Sequence, residues 1–127
     1  MRFLICLALL AACTPETSQK ALNSAPTIEI LSHSDGSQLH EGASVEFFAM
    51  ASDLNHDPGE LQVAWYLDDS LACDWDEPGD DGMSACVQTI PPGLGLVAAI
   101  VQDPRQDSAR AEVSVITGGG SGGGGGG

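Results

Sequence analysis

From Thr27 to Thr117 apolar and polar residues alternate mostly with a period of two rather than 3.6. Turn residues interrupt that alternation at Asp35-Gly36, Glu41-Gly42, Asp57-Pro58-Gly59 and Pro91-Pro92-Gly93. A period of two puts successive side chains on opposite faces of an extended chain, so the apolar face can be buried only in a sheet. Strands are expected at 27–31, 45–52, 61–67, 70–73, 86–90, 96–102 and 109–117. No segment carries a convincing helical stripe. Seven short strands in about 90 residues predict an all-β antiparallel sandwich.

The alternation assigns an inward set: Ile28 and Ile30; Val45, Phe47, Ala49 and Ala51; Val63, Trp65 and Leu67; Val97, Ala99 and Val101; Ala111, Val113 and Val115. The run from Leu94 to Val101 is apolar on both faces, as a central strand requires. Phe48 and Met50 point opposite to the core residues of their strand. They form a small apolar binding patch or lie under a neighbouring segment.

Ahead of this domain stands an unbroken apolar run, Phe3 to Ala12, behind the single charge of Arg2. The pattern is that of a secretory signal peptide. Ten apolar residues rise only about 15 Å as a helix, half of a hydrocarbon core of ~30 Å, which disfavours a permanent transmembrane span. The run ends in Leu10-Ala11-Ala12-Cys13, which resembles the lipobox of bacterial lipoproteins. The resemblance implies cleavage before a diacylated Cys13 and a membrane anchor through its acyl chains. Thr14 follows the cysteine where an Asp would resemble an inner-membrane retention signal, so the expected location is the cell envelope at the outer membrane. The chain is thereby divided into a leader at 1–12, the lipidated cysteine and a polar tether at 13–25, a sandwich at 26–117 and a Gly-rich tail or linker at 118–127. A dozen coil residues span about 20 Å, which keeps the domain close to the membrane.

With Cys6 removed in the leader and Cys13 lipidated, Cys73 and Cys86 remain as a pair in an oxidising compartment, and a disulfide between them is expected. It would link a loop and its flanking strand edges on the outside of the sandwich. The alternative is a metal site, for which two thiols without a nearby histidine are a poor set.

Several runs together resemble the PKD-like and cadherin-like branch of bacterial immunoglobulin-type domains. They are Pro26-Thr27-Ile28-Glu29-Ile30, Asp35-Gly36, Gly42 leading into Val45 to Asp53, Leu61-Gln62-Val63-Ala64-Trp65-Tyr66-Leu67-Asp68, and Gly93 through Val97 to Asp103. The resemblance implies a single immunoglobulin-like sandwich and a role as an adhesive, carbohydrate-contacting or spacer module.

Beyond the leader, 3 basic residues face 18 acidic ones, a net charge of 3 − 18 = −15. That balance repels phosphates and excludes nucleic acid as a partner. It suits cations. Asp53, Asn55 and Asp57 offer oxygens at i, i+2 and i+4 after a strand, and Asp103 from a neighbouring loop would help complete a calcium shell. The same side chains also suit ordinary turn bonds. A second acidic run, Asp74 to Asp81, packs five carboxylates into eight residues inside the disulfide loop, with Asp74, Asp76 and Asp80 as candidate calcium ligands. Pro78 and Ala85 break any EF-hand pattern, and a solvated acidic loop is the competing reading. Trp75 in this loop either stacks on a sugar beside the carboxylates or folds over the disulfide.

His33, His40 and His56 sit in expected turns, without a Gly-x-Ser-x-Gly elbow or a His-Glu-x-x-His helix. An enzyme is therefore not expected, and no cofactor is required. The function read from the sequence is a lipid-anchored, monomeric, non-enzymatic interaction or spacer module with a protein or glycan partner. The rival readings are a calcium-dependent adhesion or glycan-binding module and a small envelope enzyme. The tail is a flexible linker by composition, leading to a further domain, left as an engineered scar or ending as a natural disordered tail.

Overall fold

A computed structural model describes residues 24–118. The leader, Cys13, the tether up to residue 23 and the tail from residue 119 lie outside the described residues. The strands are β1 Thr27–Ile30, β2 Ser37–His40, β3 Ser44–Ser52, β4 Gln62–Leu67, β5 Ser70–Asp76, β6 Met83–Thr89, β7 Leu96–Gln102 and β8 Ser108–Gly118. A 3-10 turn at Pro58–Glu60 separates β3 from β4. The strands form a three-stranded sheet, β1-β3-β6, and a five-stranded sheet, β2-β8-β7-β4-β5. Pairing is antiparallel except between β2 and β8, which run parallel.

The sandwich expected from the alternation is present, with one strand more. β2 is the addition, and its four residues carry a single buried apolar side chain, Leu39. After β1 the chain turns through Gly36, at φ +89°, and joins the other sheet. Asp35 Oδ1 accepts the Ser114 N–H at 2.9 Å, and Gly36 N–H donates to the Ser114 carbonyl at 2.8 Å, so β8 sets where β2 lies.

Of the inward set, Ile28, Val45 and Ala111 are partly buried and pack against the core cluster, and the other twelve residues are buried within it. Leu61, Ile90 and Leu94 join them at the ends of the sandwich, where turns interrupt the alternation. β7, apolar on both faces, lies between β8 and β4. Its outward Ala98 and the neighbouring Ala64 are fully buried.

The core centres on an aromatic stack that crosses between sheets. Phe47 of β3 lies 6.2 Å from Trp65 of β4, centroid to centroid, and His33 lies 4.9 Å from Phe47. Trp65 Nε1 donates to Ser84 Oγ of β6 at 2.9 Å, so the one polar atom of a buried indole is satisfied by the opposite sheet.

Cys73 and Cys86 form the expected disulfide. Its position corrects the expectation of a link outside the sandwich. β5 and β6 are edges of opposite sheets, and the bond closes the open side between them. Cys73 pairs in register with Trp65 and Cys86 with Phe47, which places the disulfide against the aromatic stack. The connection from β5 to β6 turns at Gly82, where φ is +86° and a Cβ would meet the Ala51 carbonyl oxygen at 2.5 Å.

Burial against Phe47 lowers the His33 pKa, because the charged ring loses solvation there. Ser32 Oγ, which accepts the Phe48 N–H at 3.0 Å, stands 2.9 Å from His33 Nδ1 and can donate its proton to a neutral ring. The unfolded chain therefore binds a proton at His33 before the folded one does. Stability is expected to fall as pH drops below about 6.5, and His33→Phe to flatten that slope. Urea midpoints at about pH 7 and about pH 5 measure it; an unchanged slope in the variant would assign the pH dependence to other groups.

Candidate functional site

Two connections meet at the pole where the described chain enters. One leaves β3 at Asp53 and folds back so that Asp53 and His56 form an isolated bridge before the 3-10 turn. The other leaves β7 at Asp103 and returns into β8. Ser24 N–H donates to Asn55 Oδ1 at 2.9 Å, fastening the start of the domain to the first connection.

Each loop holds its own carboxylate by one oxygen. Asp53 Oδ1 accepts the Asn55 N–H at 2.8 Å. Asp103 Oδ1 accepts the N–H groups of Arg105 at 2.9 Å and Asp107 at 3.0 Å. Asp53 Oδ2 lies 3.3 Å from His56 Nδ1. Asp103 is only 4% exposed, and its Oδ2 has no hydrogen-bond partner. One ligand atom from each of Asp53, His56 and Asp103 falls within 4.8 Å of the others.

Burial by itself would push the Asp53 carboxyl up. The Asn55 N–H, the His56 ring and the Asp103 side chain outweigh burial and hold it below the usual carboxylate range. The carboxylate is thus ionised beside a second, buried carboxyl. One oxygen of each carboxyl lies within 4.8 Å of the other, close enough for a shared proton or a bridging cation to relieve their repulsion.

Of the four residues expected to surround a cation here, the fold brings together Asp53 and Asp103. Asn55 is engaged by Ser24, and Asp57 stands at the start of the 3-10 turn, its N–H donating to Glu60 Oε1 at 3.0 Å. His56 takes a place that the sequence reading left out. It was visible in the run Asp53-Leu54-Asn55-His56-Asp57, but an i+3 spacing in a turn does not say which way a ring points.

The second acidic run lies at the same pole. β5 continues through Asp76, so Asp74 and Asp76 are strand residues and only residues 77–82 form the connection to β6. Asp74, Asp76 and Asp80 are exposed. Asp74 and Asp76 each accept the N–H of the next residue, at 2.8 and 2.9 Å, and Asp81 accepts that of Met83 at 3.0 Å. Among the described residues no third donor joins them to make a ligand set. Between the edges of β5 and β6, a cleft of about 380 Å³ is lined by Asp74, Asp76, Glu77, Met83 and Trp65. A second cleft, about 310 Å³, runs past Gln62, Glu77, Gln102 and Asp103.

Trp75 is 38% exposed on the bulged part of β5, beside these carboxylates. Phe48 and Met50 lie on the outer face of the three-stranded sheet, opposite Ala85 and Met83 of β6. Met50 is exposed at one end of this face and Val87, paired with Glu46, at the other, with Phe48 and Ala85 between them.

No protein-family model matches the sequence, and no curated protein matches it. Solved structures do. A fibronectin(III)-like module of CbhA from Clostridium thermocellum superposes with a TM-score of 0.61 at 13% identity, over 73% of this chain and 98% of that one. The chain has an immunoglobulin-like fold. The PKD domain of an M14-like peptidase from a Thermoplasmatales archaeon gives a TM-score of 0.52 at 15% identity, covering 72% of this chain and 93% of that one. The titin M3 domain gives 0.51 at 16%, covering 75% and 98%. At these identities the likeness concerns the fold. It agrees with the resemblance to immunoglobulin-type domains of the PKD-like kind, and such folds carry many unrelated functions.

Proposed function

We propose that this chain is a lipid-anchored, non-enzymatic interaction or spacer module of the bacterial cell envelope, held at the outer membrane through Cys13. The run Leu10-Ala11-Ala12-Cys13 behind an apolar leader carries the reading. The disulfide supports it, since such bonds persist in oxidising compartments such as the envelope. So does the position of Ser24 at the acidic pole: a short tether from Cys13 would hold that pole nearest the membrane. The apolar side chains of Phe48, Met50 and Val87 on the outer face of the three-stranded sheet support an interaction role over a purely mechanical one.

A Cys13→Ser variant tests the anchor. It should lose palmitate labelling and move from the membrane pellet to the soluble fraction of lysed cells. Labelling and sedimentation like those of the parent chain would overturn the anchor.

A further inference from the structure

We infer that Asp53, His56 and Asp103 form a binding site for one divalent transition-metal ion of the zinc class. The inference is independent of the anchor and of the module's partner.

The buried Asp103 carboxyl carries the argument. One of its oxygens takes two loop N–H groups, while the other is sealed from solvent without a partner. A buried acceptor left open is costly, and a carboxylate oxygen more so. Asp53, whose side chain has no exposed surface, supplies a second carboxylate within 4.8 Å. In the forms that ligate a metal, two carboxylates and one imidazole bring a formal charge of −2, which a divalent ion cancels.

The donor set selects the class of ion. Calcium takes six to eight oxygens. Here three side chains converge, one of them through nitrogen, and Oδ1 of each carboxylate is already bonded to backbone. Zinc accepts three protein ligands of this kind with water in the fourth position. At bond lengths of about 2.0–2.1 Å, tetrahedral ligand atoms stand roughly 3.3 Å apart. The separation of His56 Nδ1 and Asp53 Oδ2 is 3.3 Å. The N–H groups of Asn55, Arg105 and Asp107 hold the two carboxylates in orientation from behind, the role that outer hydrogen bonds play around bound metals. Because the two loops leave β3 and β7, strands of different sheets, an ion between them would join the sheets at this pole.

The test is calorimetric titration of the chelator-stripped full chain, in detergent, with Zn²⁺ and separately with Ca²⁺. One equivalent of Zn²⁺ should bind, and a hundredfold excess over Kd should raise the thermal midpoint by roughly 11–22 °C. Asp103→Asn and His56→Ala should each weaken Zn²⁺ binding at least about tenfold. His56 is at the surface of the site, so its variant should stay folded if Asp103→Asn does not. His40→Ala should bind as the parent chain does, which separates this site from loose capture by exposed residues. Bound Co²⁺ should show ligand-field bands that are absent in His56→Ala. Tighter binding of Ca²⁺ than of Zn²⁺, unchanged in His56→Ala, would overturn the assignment. So would a chain that takes up neither ion; stabilisation by Asp103→Asn would then assign the contact to a proton shared by the two carboxyls.

Discussion

Trp65→Ala should be the most damaging single substitution in the domain, lowering stability by roughly 3–5 kcal/mol. The indole is 1% exposed and fills the centre of the sandwich. Its removal leaves a cavity beside Phe47 and strands the Ser84 hydroxyl that Trp65 Nε1 now satisfies. A domain of this size is stable by only about 5–15 kcal/mol in total, so the loss takes much of that margin. Urea unfolding followed by circular dichroism measures it, since fluorescence would report on Trp75 alone. Trp75→Ala, at an exposed position, should shift the midpoint far less. Equal shifts in the two variants would show that Trp65 does not anchor the core.

The second large effect is expected from the disulfide. Replacing both Cys73 and Cys86 by alanine should cost about 3 kcal/mol on the loop-entropy estimate. At 4–8 °C per kcal/mol for a small domain, the thermal midpoint should fall by roughly 12–24 °C. The bond closes a side of the sandwich where β5 and β6 are otherwise joined by little more than the Gln88 side chain, which donates to the Ala72 carbonyl at 3.0 Å. Cys73 and Cys86 pair in register with Trp65 and Phe47, so the cysteine and tryptophan substitutions should not add. A triple variant whose loss equals the sum of the parts would show the disulfide and the stack to be energetically separate. A melting temperature indifferent to reductant would remove the disulfide from the list of stabilising features.

The regular part of the fold was legible because alternation is a direct record of which face is buried. It located the core strands and identified β7 as central. It was silent at β2, whose four residues bury only Leu39 and whose place is fixed by contacts with β8, some 79 residues away in sequence at Asp35 and Ser114. It was silent too at Leu94, which is out of phase with Val97, Ala99 and Val101 and is carried into the core by the turn before β7. The cysteine pair was legible by elimination, but its place between sheets was not, because that depends on β5 and β6 becoming edges of different sheets. At the candidate metal site the carboxylates Asp53 and Asp103 could be named from the chain. The loss of Asn55 and Asp57 to the entering chain and the 3-10 turn, and the gain of His56, depend on side-chain directions within a turn that sequence spacing does not encode.

The parallel pairing of β2 with β8 has a mechanical consequence. The described chain enters at one pole through Ser24 and leaves at the other through Gly118, which pairs with His40. Tension between those ends drags β2 toward the first pole and β8 toward the second. Side-by-side parallel strands drawn in opposite directions are loaded in shear, so the hydrogen bonds from Ser37 and Val115 to His40 and Gly118 resist together instead of parting one after another. A domain pulled at those two ends would then yield to force abruptly, as a unit, rather than peel.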